Sequence, residues 1–454
     1  MGVTAKRRWT AKFHNKPLPE SPIKRKPDII LKDVGNSVVT WRTVRAIAEI
    51  TSQAYEVGKL VRTVIDKSYI VLTMQASRVF IPILSIWENH MFRLTVSDCE
   101  GQLRSTVYKL SGPWPVNSSL DFLHLIVSLC FADIQYVGYD PTFTLDRFGL
   151  VKSIKCCDQS YKIVNTIYET QSFVGHATRV WEVEYQRKHF ILKDAWVEKS
   201  RNFTEIQHLQ HVAGVQGVPE FICGEDVIVN GNILCTGDIR GLQLPTTRMQ
   251  WRIVTCSIGS HIADFRNKRE LISAFKDIVT SKSNFFYYLC YTKFFVPSAL
   301  KELAMNKDTV HCDISYSNIL LLECNADDLE DGDESTSMSF RSGLLIDFEY
   351  AARLSESYAM SPGLCAIRIS LFLLIFISDT FSRAHCHSCL SNYSSLKHQS
   401  TTCPFMTLSR SSLSSSTFAA TSAGLGLLVH SQNFRHFRAF QSPHGLILHS
   451  AFSD

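Results

Sequence analysis

The chain has 454 residues, of which 45% are apolar and 20% charged. This balance excludes an intrinsically disordered chain and leaves room for two or three domains. The formal charge of +5 is too small over this length to argue for nucleic-acid binding, and the 14 cysteines lack the regular spacing of a disulfide framework.

Residues 1–35 carry Lys6-Arg7-Arg8 and Lys24-Arg25-Lys26 among prolines and are expected to form a basic disordered tail. No apolar signal-peptide core is seen there, so an intracellular location, cytoplasmic or nuclear, is expected. A first α+β unit is expected over 36–150. Within it Thr40 to Ile65 has helical spacing through Val44, Ile47, Ala48, Ala54 and Val57. Ser77 to Val96 alternates as strands do, Asp98 to Gly101 signals a turn, and Thr106 to Leu110 is the expected returning strand. Leu120 to Ala132 is an apolar helix candidate.

A second unit, 160–255, opens with three antiparallel strands: Ile163 to Tyr168, Val180 to Tyr185 and Phe190 to Lys193. The turn between the first two contains Gly175, whose missing side chain suits a loop lying over phosphates. Lys193 is expected at the end of the third strand, within reach of nucleotide phosphates and of an acidic partner on the next helix. Glu205, on a helix from about Asn202 to Val212, is the preferred partner, and Glu198 the alternative. Val218 to Val229 and Met249 to Cys256 complete the expected sheet, and Cys256 to Ala263 is a hinge. Lys268 to Val279 then reads as a helix with Leu271, Ile272, Phe275 and Ile278 on one face.

The chemistry is concentrated further on, in His311-Cys312-Asp313-Ile314-Ser315-Tyr316-Ser317-Asn318 and in Leu344-Leu345-Ile346-Asp347-Phe348-Glu349. Phosphoryl transfer from ATP needs a carboxylate beside the incoming hydroxyl, plus an Asn and an Asp to hold magnesium against the phosphates. Asp313, Asn318 and Asp347 have those types in that order, and the step from Asp313 to Asn318 is that of a kinase catalytic loop. Apolar Ile319 to Leu322 and Leu344 to Ile346 are expected to pair as a hairpin that brings Asn318 and Asp347 together. His311 is expected to pack and hydrogen-bond inside the loop, and Ser315 to face a substrate at most. Asp327 to Glu334, inside this hairpin, resembles a calcium loop, but Leu329 and Met338 occupy positions that need oxygen ligands, so a solvated insertion is expected.

These residues resemble the fungal-type protein kinases, a divergent branch of the protein-kinase-like superfamily. Trp41-Arg42, Glu49-Ile50-Thr51, Gln75 to Phe80, Gly138-Tyr139-Asp140-Pro141-Thr142 and Gly217-Val218-Pro219 share the resemblance, which runs over roughly residues 30 to 355. It implies a two-lobed α+β kinase fold, with an antiparallel N-lobe sheet over 160–255 and a mainly helical C-lobe starting at 256–362, behind the family's own N-terminal domain. It also implies ATP and Mg2+ as cofactors and Ser/Thr of a protein as phosphoryl acceptor. Asp313 would be the catalytic base, Asn318 and Asp347 the metal ligands, Lys193 the phosphate clamp and Glu205 its anchor.

Two departures stand out. Cys312 replaces the Arg that reads a phosphorylated activation loop. From Thr380 to Ser453 there is no Asp or Glu, so residues 363–454 are expected to be an aberrant or decayed tail rather than kinase lobe. Leu364 to Ser378 is short for a membrane span, and His385-Cys386-His387-Ser388-Cys389 has no usual zinc spacing. The competing expectations are a catalytically dead pseudokinase scaffold and a small-molecule phosphotransferase of kinase-like fold.

Overall fold

The structure, a computed structural model, describes residues 4–52, 57–88, 90–111, 118–201, 203–242, 244, 246–279, 300, 302–303, 306–322 and 341–353. The aromatic run 284–296, the acidic loop 327–334 and all of the sequence expectations for 363–454 lie outside these residues.

The first unit is a seven-stranded sheet carrying helices. Its elements in chain order are β1 (Arg7–Thr10), β2 (Ile29–Asp33), β3 (Ala46–Thr51), α1 (Val57–Met74), β4 (Ile81–Trp87), β5 (Met91–Asp98), β6 (Gly101–Arg104), β7 (Tyr108–Lys109) and α2 (Ser119–Phe131). The strands run β1-β2-β3-β4-β5-β6, with β7 beside β5. The basic N-terminal stretch is thus not a disordered tail. Arg7 is buried and donates to the carbonyls of Leu129 (2.8 Å) and Ala132 (2.8 Å), which caps the end of α2.

The helix expected from Thr40 also needs correction, because Ala46–Thr51 is strand β3 and the helix starts only at Val57. Ile47 packs into the core under α1, with Trp41, Val64, Ile70 and Ile83, while Ala46 and Ala48 pack on the other face against Leu125 and Leu129 of α2. A strand covered on both faces loses its polar-apolar alternation, and its apolar spacing then mimics a helix. β3 pairs parallel with β4, α1 being the crossover between them.

The second sheet also has seven strands and begins earlier than the expected residue 160. Its elements are β8 (Phe143–Leu145), β9 (Val151–Cys156), β10 (Gln159–Glu169), β11 (Arg179–Tyr185), β12 (Lys188–Glu198), α3 (Glu205–His211), β13 (Phe221–Asp226), β14 (Ile228–Val229), β15 (Asn232–Ile233), α4 (Thr236–Arg240) and β16 (Arg248–Thr255). The order across the sheet is β13-β16-β12-β11-β10-β9-β8, while β14 and β15 form a separate two-stranded ribbon. Lys193 is therefore internal to β12 rather than at its end.

Buried charges join the two units. Arg252 of β16 donates to Asp194 (2.8 Å), to Thr142 Oγ1 (2.7 Å), to Lys155 O (2.9 Å) and to Asp140, and it is fully buried. Arg240 of α4 pairs with buried Asp98 at the β5–β6 turn. Arg179 of β11 donates to Leu72 O near the end of α1 at 2.7 Å. A carboxylate or guanidinium this far from water is tolerated only when paired and hydrogen-bonded. These pairs fix the first unit against the strand that carries Lys193.

The chain continues through β17 (Gly259–His261), α5 (Lys268–Val279), β18 (Thr309–Val310), β19 (Ile319–Leu322), β20 (Gly343–Leu345) and β21 (Ala352–Arg353). One apolar core takes Ala195, Trp251 and Ile253 from the second sheet, Leu209 from α3, Leu271, Ala274 and Ile278 from α5, and Ile319, Leu345 and Phe348 beyond. On α5 the expected face is rotated, since Ala274 is buried and Ile272 is 66% exposed. Among the described residues the fold is α+β, with mostly sheet and few helices, and no helix is long and apolar enough to cross a membrane.

Candidate active site

Local sequence places each candidate side chain. On β12 the alternation buries Leu192 on one face of the sheet and turns Lys193 to the other, toward α3. Helix α3 starts at Glu205 because Thr204 and Gln207 form a capping box, with Thr204 N donating to Gln207 Oε1 at 2.8 Å and Gln207 N to Thr204 Oγ1 at 3.4 Å. The cap sets Glu205 at the first helical position, buried, with its carboxylate facing β12.

Lys193 Nζ donates to Glu205 Oε2 at 2.7 Å and to Asp347 Oδ1 at 2.7 Å. The other Glu205 oxygen accepts the Phe348 amide at 3.2 Å, so one carboxylate bridges the lysine and the Asp-Phe backbone. The alternative partner, Glu198, is taken by Arg248 at 3.2 Å. Burial alone would lower the Lys193 pKa, but Glu205 and Asp347 overcome it and hold the ammonium above its ordinary value. Burial raises Glu205 to about 7 against the pull of Lys193. For Asp347, burial works upward, yet the Lys193 ammonium outweighs it and keeps the carboxyl below the usual range. Two carboxylates share one cation, and the more buried one keeps the stronger hold on a proton.

The expected hairpin is present, β19 pairing antiparallel with β20 through Ile319–Leu345 and Leu320–Leu344. Ile346 N donates to Asn318 O at 2.9 Å, which ties the segment before Asp347 to the loop. Asn318 Nδ2 donates to Asp313 O at 2.9 Å and to Asp313 Oδ2 at 3.2 Å. His311 is fully buried, and its Nε2 lies 3.0 Å from Ile346 O. A carbonyl accepts only, so Nε2 carries the hydrogen and Nδ1 is left to accept the Asp313 amide at 3.4 Å. Burial lowers the His311 pKa, in keeping with a neutral, packing imidazole. Cys312 and Asp347 both have positive φ, 61° and 69°, in a region that non-glycine residues seldom adopt. Such strain is held where surrounding contacts over-determine the backbone.

Glu270 and Arg341 brace this hairpin from α5. Arg341, just before β20, donates to Glu270 Oε1 at 2.9 Å, to Ser260 Oγ at 2.7 Å and to Asp264 O at 2.6 Å. The Arg341 hydrogen bond holds the Glu270 carboxyl far below its ordinary range, at about 2. Gly343 could not be larger, because a Cβ there would overlap the Ala274 carbonyl of α5.

Gly175 has φ +103°, as a glycine turn allows, but its amide donates to Cys99 O at 2.8 Å and is not free for a phosphate. His176, next to it, stands 2.9 Å from Glu349 Oε1, and Arg201 Nη2 lies 3.5 Å from the same oxygen. Glu349 therefore ties the Gly175 loop to the Asp347-Phe348 segment. The sequence does not mark His176 or Arg201 as partners of Glu349, since neither spacing nor composition reveals a contact across so many residues. Ser315 Oγ is 2.9 Å from Ser317 Oγ in the loop.

A lysine internal to a sheet strand, paired with a helix Glu and with the Asp of an Asp-Phe segment, belongs to a kinase-like protein of α+β fold. Residues 23–247 match the family model described as fungal protein kinase. The chain is a member of the fungal-type protein kinase family. The match contains Lys193 and Glu205 and ends before Asp313, Asn318 and Asp347. No curated protein matches the chain.

Proposed function

We propose that the protein is a two-lobed kinase that transfers the γ-phosphoryl of ATP to a Ser or Thr hydroxyl of a protein substrate. The observation that carries this is Lys193 held 2.7 Å from both Glu205 and Asp347. Lys193 clamps the nucleotide phosphates and Glu205 keeps it aimed. Asp313 orients the acceptor hydroxyl and takes its proton, while Asn318 Nδ2 holds the Asp313 carboxylate in place.

The donor set fits magnesium. Asp347 is kept ionised by Lys193, and the Nδ2 bonds of Asn318 to Asp313 leave its Oδ1 as an oxygen ligand on the other side of the amide. Bound there, Mg2+ supplies neutralisation of charge on the transferring phosphoryl. The Gly175 loop covers the site through its tie to Glu349, and the N-lobe is assigned to the second sheet with the family's own domain before it.

A second class of function, a nucleotide-handling scaffold without transfer, is favoured by the family match ending ahead of Asp313. Thermal shift of the full chain with ATP, with and without Mg2+, separates the cases alongside an Asp347→Asn control. A Mg2+-dependent shift lost in the control, followed by phosphate on Ser or Thr of a protein acceptor, supports the kinase. A shift with no transfer supports the scaffold, and a folded protein with no shift overturns both.

A further inference from the structure

On the face of the second sheet opposite Lys193, three thiols converge. Cys156 ends β9, Cys157 follows it in the β9–β10 turn, and Cys223 lies on β13. Their sulfurs all lie within 4.8 Å of one another, with Cys156 and Cys157 Sγ 3.7 Å apart. Cys156 is fully buried and the other two are half-buried beside Tyr161, Leu192 and Val254. β13 and β9 are not neighbours in the sheet order, one being at an end and the other next to the opposite end. Curling of the sheet brings them together, and no backbone ladder joins them.

The turn makes the arrangement harder to treat as incidental packing. Cys156 pairs with Gln159, so Cys157 and Asp158 are the two central residues of a hairpin turn, with φ of 48° and 60°. That two-residue turn wants Asn-Gly or Asp-Gly, because both positions need positive φ. A cysteine there carries a conformational cost, and what it gains is a second thiol beside Cys156. Strain of this kind at a cluster of one chemical type points to a ligand.

We infer that Cys156, Cys157 and Cys223 form a Zn2+ site that staples β9 to β13. A tetrahedral zinc with Zn–S bonds of about 2.3 Å has S···S edges of about 3.8 Å, which the Cys156–Cys157 spacing already meets. The fourth position falls to solvent. Zinc binds the thiolates, so each ligand loses its proton on binding and affinity falls with acid. The ion binds the folded chain only and so stabilises it by mass action.

The test uses the full chain, purified in reducing buffer and dialysed free of loose metal. The expected result is one zinc per chain, retained in Cys130→Ser and lost in Cys223→Ser and Cys157→Gly. Cys157→Gly is decisive, because glycine relieves the turn while removing the thiol, so the variant stays folded as it loses its zinc. Cobalt in place of zinc then gives a thiolate-to-metal charge-transfer band that the same variants abolish. A metal-free chain would overturn the site, as would a Cys156–Cys223 disulfide under these conditions or Cu(I) bound in place of zinc. Zinc unaffected by Cys157→Gly and lost only on replacing Cys386 and Cys389 would overturn it as well.

Discussion

Replacing Arg252 by methionine keeps most of the side-chain volume and removes the charge. Arg252 is fully buried and supplies hydrogen bonds to Asp194, Asp140, Thr142 and the Lys155 carbonyl. Without it Asp140 keeps Thr142 as a side-chain partner, and Asp194 keeps the hydrogen bonds from Gln250, at 2.8 and 3.0 Å. Two buried carboxylates then lose the guanidinium hydrogen-bonded to both, and breaking such a pair typically costs about 3–5 kcal/mol. Set against a total stability of roughly 5–15 kcal/mol, that is about a fifth of the whole or more. With a urea slope of about 2–3 kcal/mol/M, the unfolding midpoint should fall by roughly 1–2.5 M. Urea denaturation of the full chain, followed by tryptophan fluorescence and circular dichroism, reads it directly. The companion triple variant, Arg252→Met with Asp140→Asn and Asp194→Asn, should recover part of the loss because the unpaired charges are gone. A midpoint unchanged in Arg252→Met, or a triple variant less stable than the single one, would refute the account of how the two units are joined.

Other outcomes follow from individual contacts. Glu205→Gln keeps an acceptor for the Phe348 amide but removes the charge facing Lys193, so MgATP binding, read by calorimetry, should weaken roughly 10- to 100-fold, the worth of one charged hydrogen bond. Glu270 has a folded pKa of about 2, below its unfolded value near 4.5, so its contribution is complete above pH 4.5 and is lost as the pH falls toward 2. Acid unfolding followed by circular dichroism should show that loss, and Glu270→Gln should flatten the slope across the same window. Gly138→Ala puts a methyl group onto the Phe80 carbonyl at φ +100°, and the melting temperature should drop by several degrees or the chain should fail to fold. Thr204→Ala removes the cap of α3 at about 1 kcal/mol and should loosen Glu205, which a parallel fall in Tm and in nucleotide affinity would register.

Much of the site was legible because its residues stand beside strong local signals. Lys193 sits in an apolar strand, and Asn318 and Asp347 adjoin the two strands of a hairpin whose pairing follows from their apolar runs. Glu205 was legible as an acidic residue on the helix expected next after the Lys193 strand, while the Thr204–Gln207 cap that fixes it was seen only in the structure. What escaped was long-range or doubly buried. Strand β3 hid behind helical spacing because both of its faces are covered. Arg7–Thr10 looked like a basic tail because a cation that caps a distant helix has the composition of a solvated one. The partners of Glu349 and of Arg252 lie too far away in the chain for periodicity to find them.

The Lys193–Asp347 contact also has a bearing on the order of events during synthesis. Its two residues are 154 positions apart, whereas β9 to β12 pair through short hairpins. Closing a longer loop costs entropy that grows only with the logarithm of its length, but the far end must first exist. At about 5–20 residues per second, Asp347 follows Lys193 out of the ribosome by roughly 8–30 s. The second sheet can therefore form well before its lysine meets that carboxylate. During that interval Glu205 is the ammonium's sole anionic neighbour from the pair, and nucleotide affinity measured on stalled chains of increasing length would rise only once Asp347 has emerged.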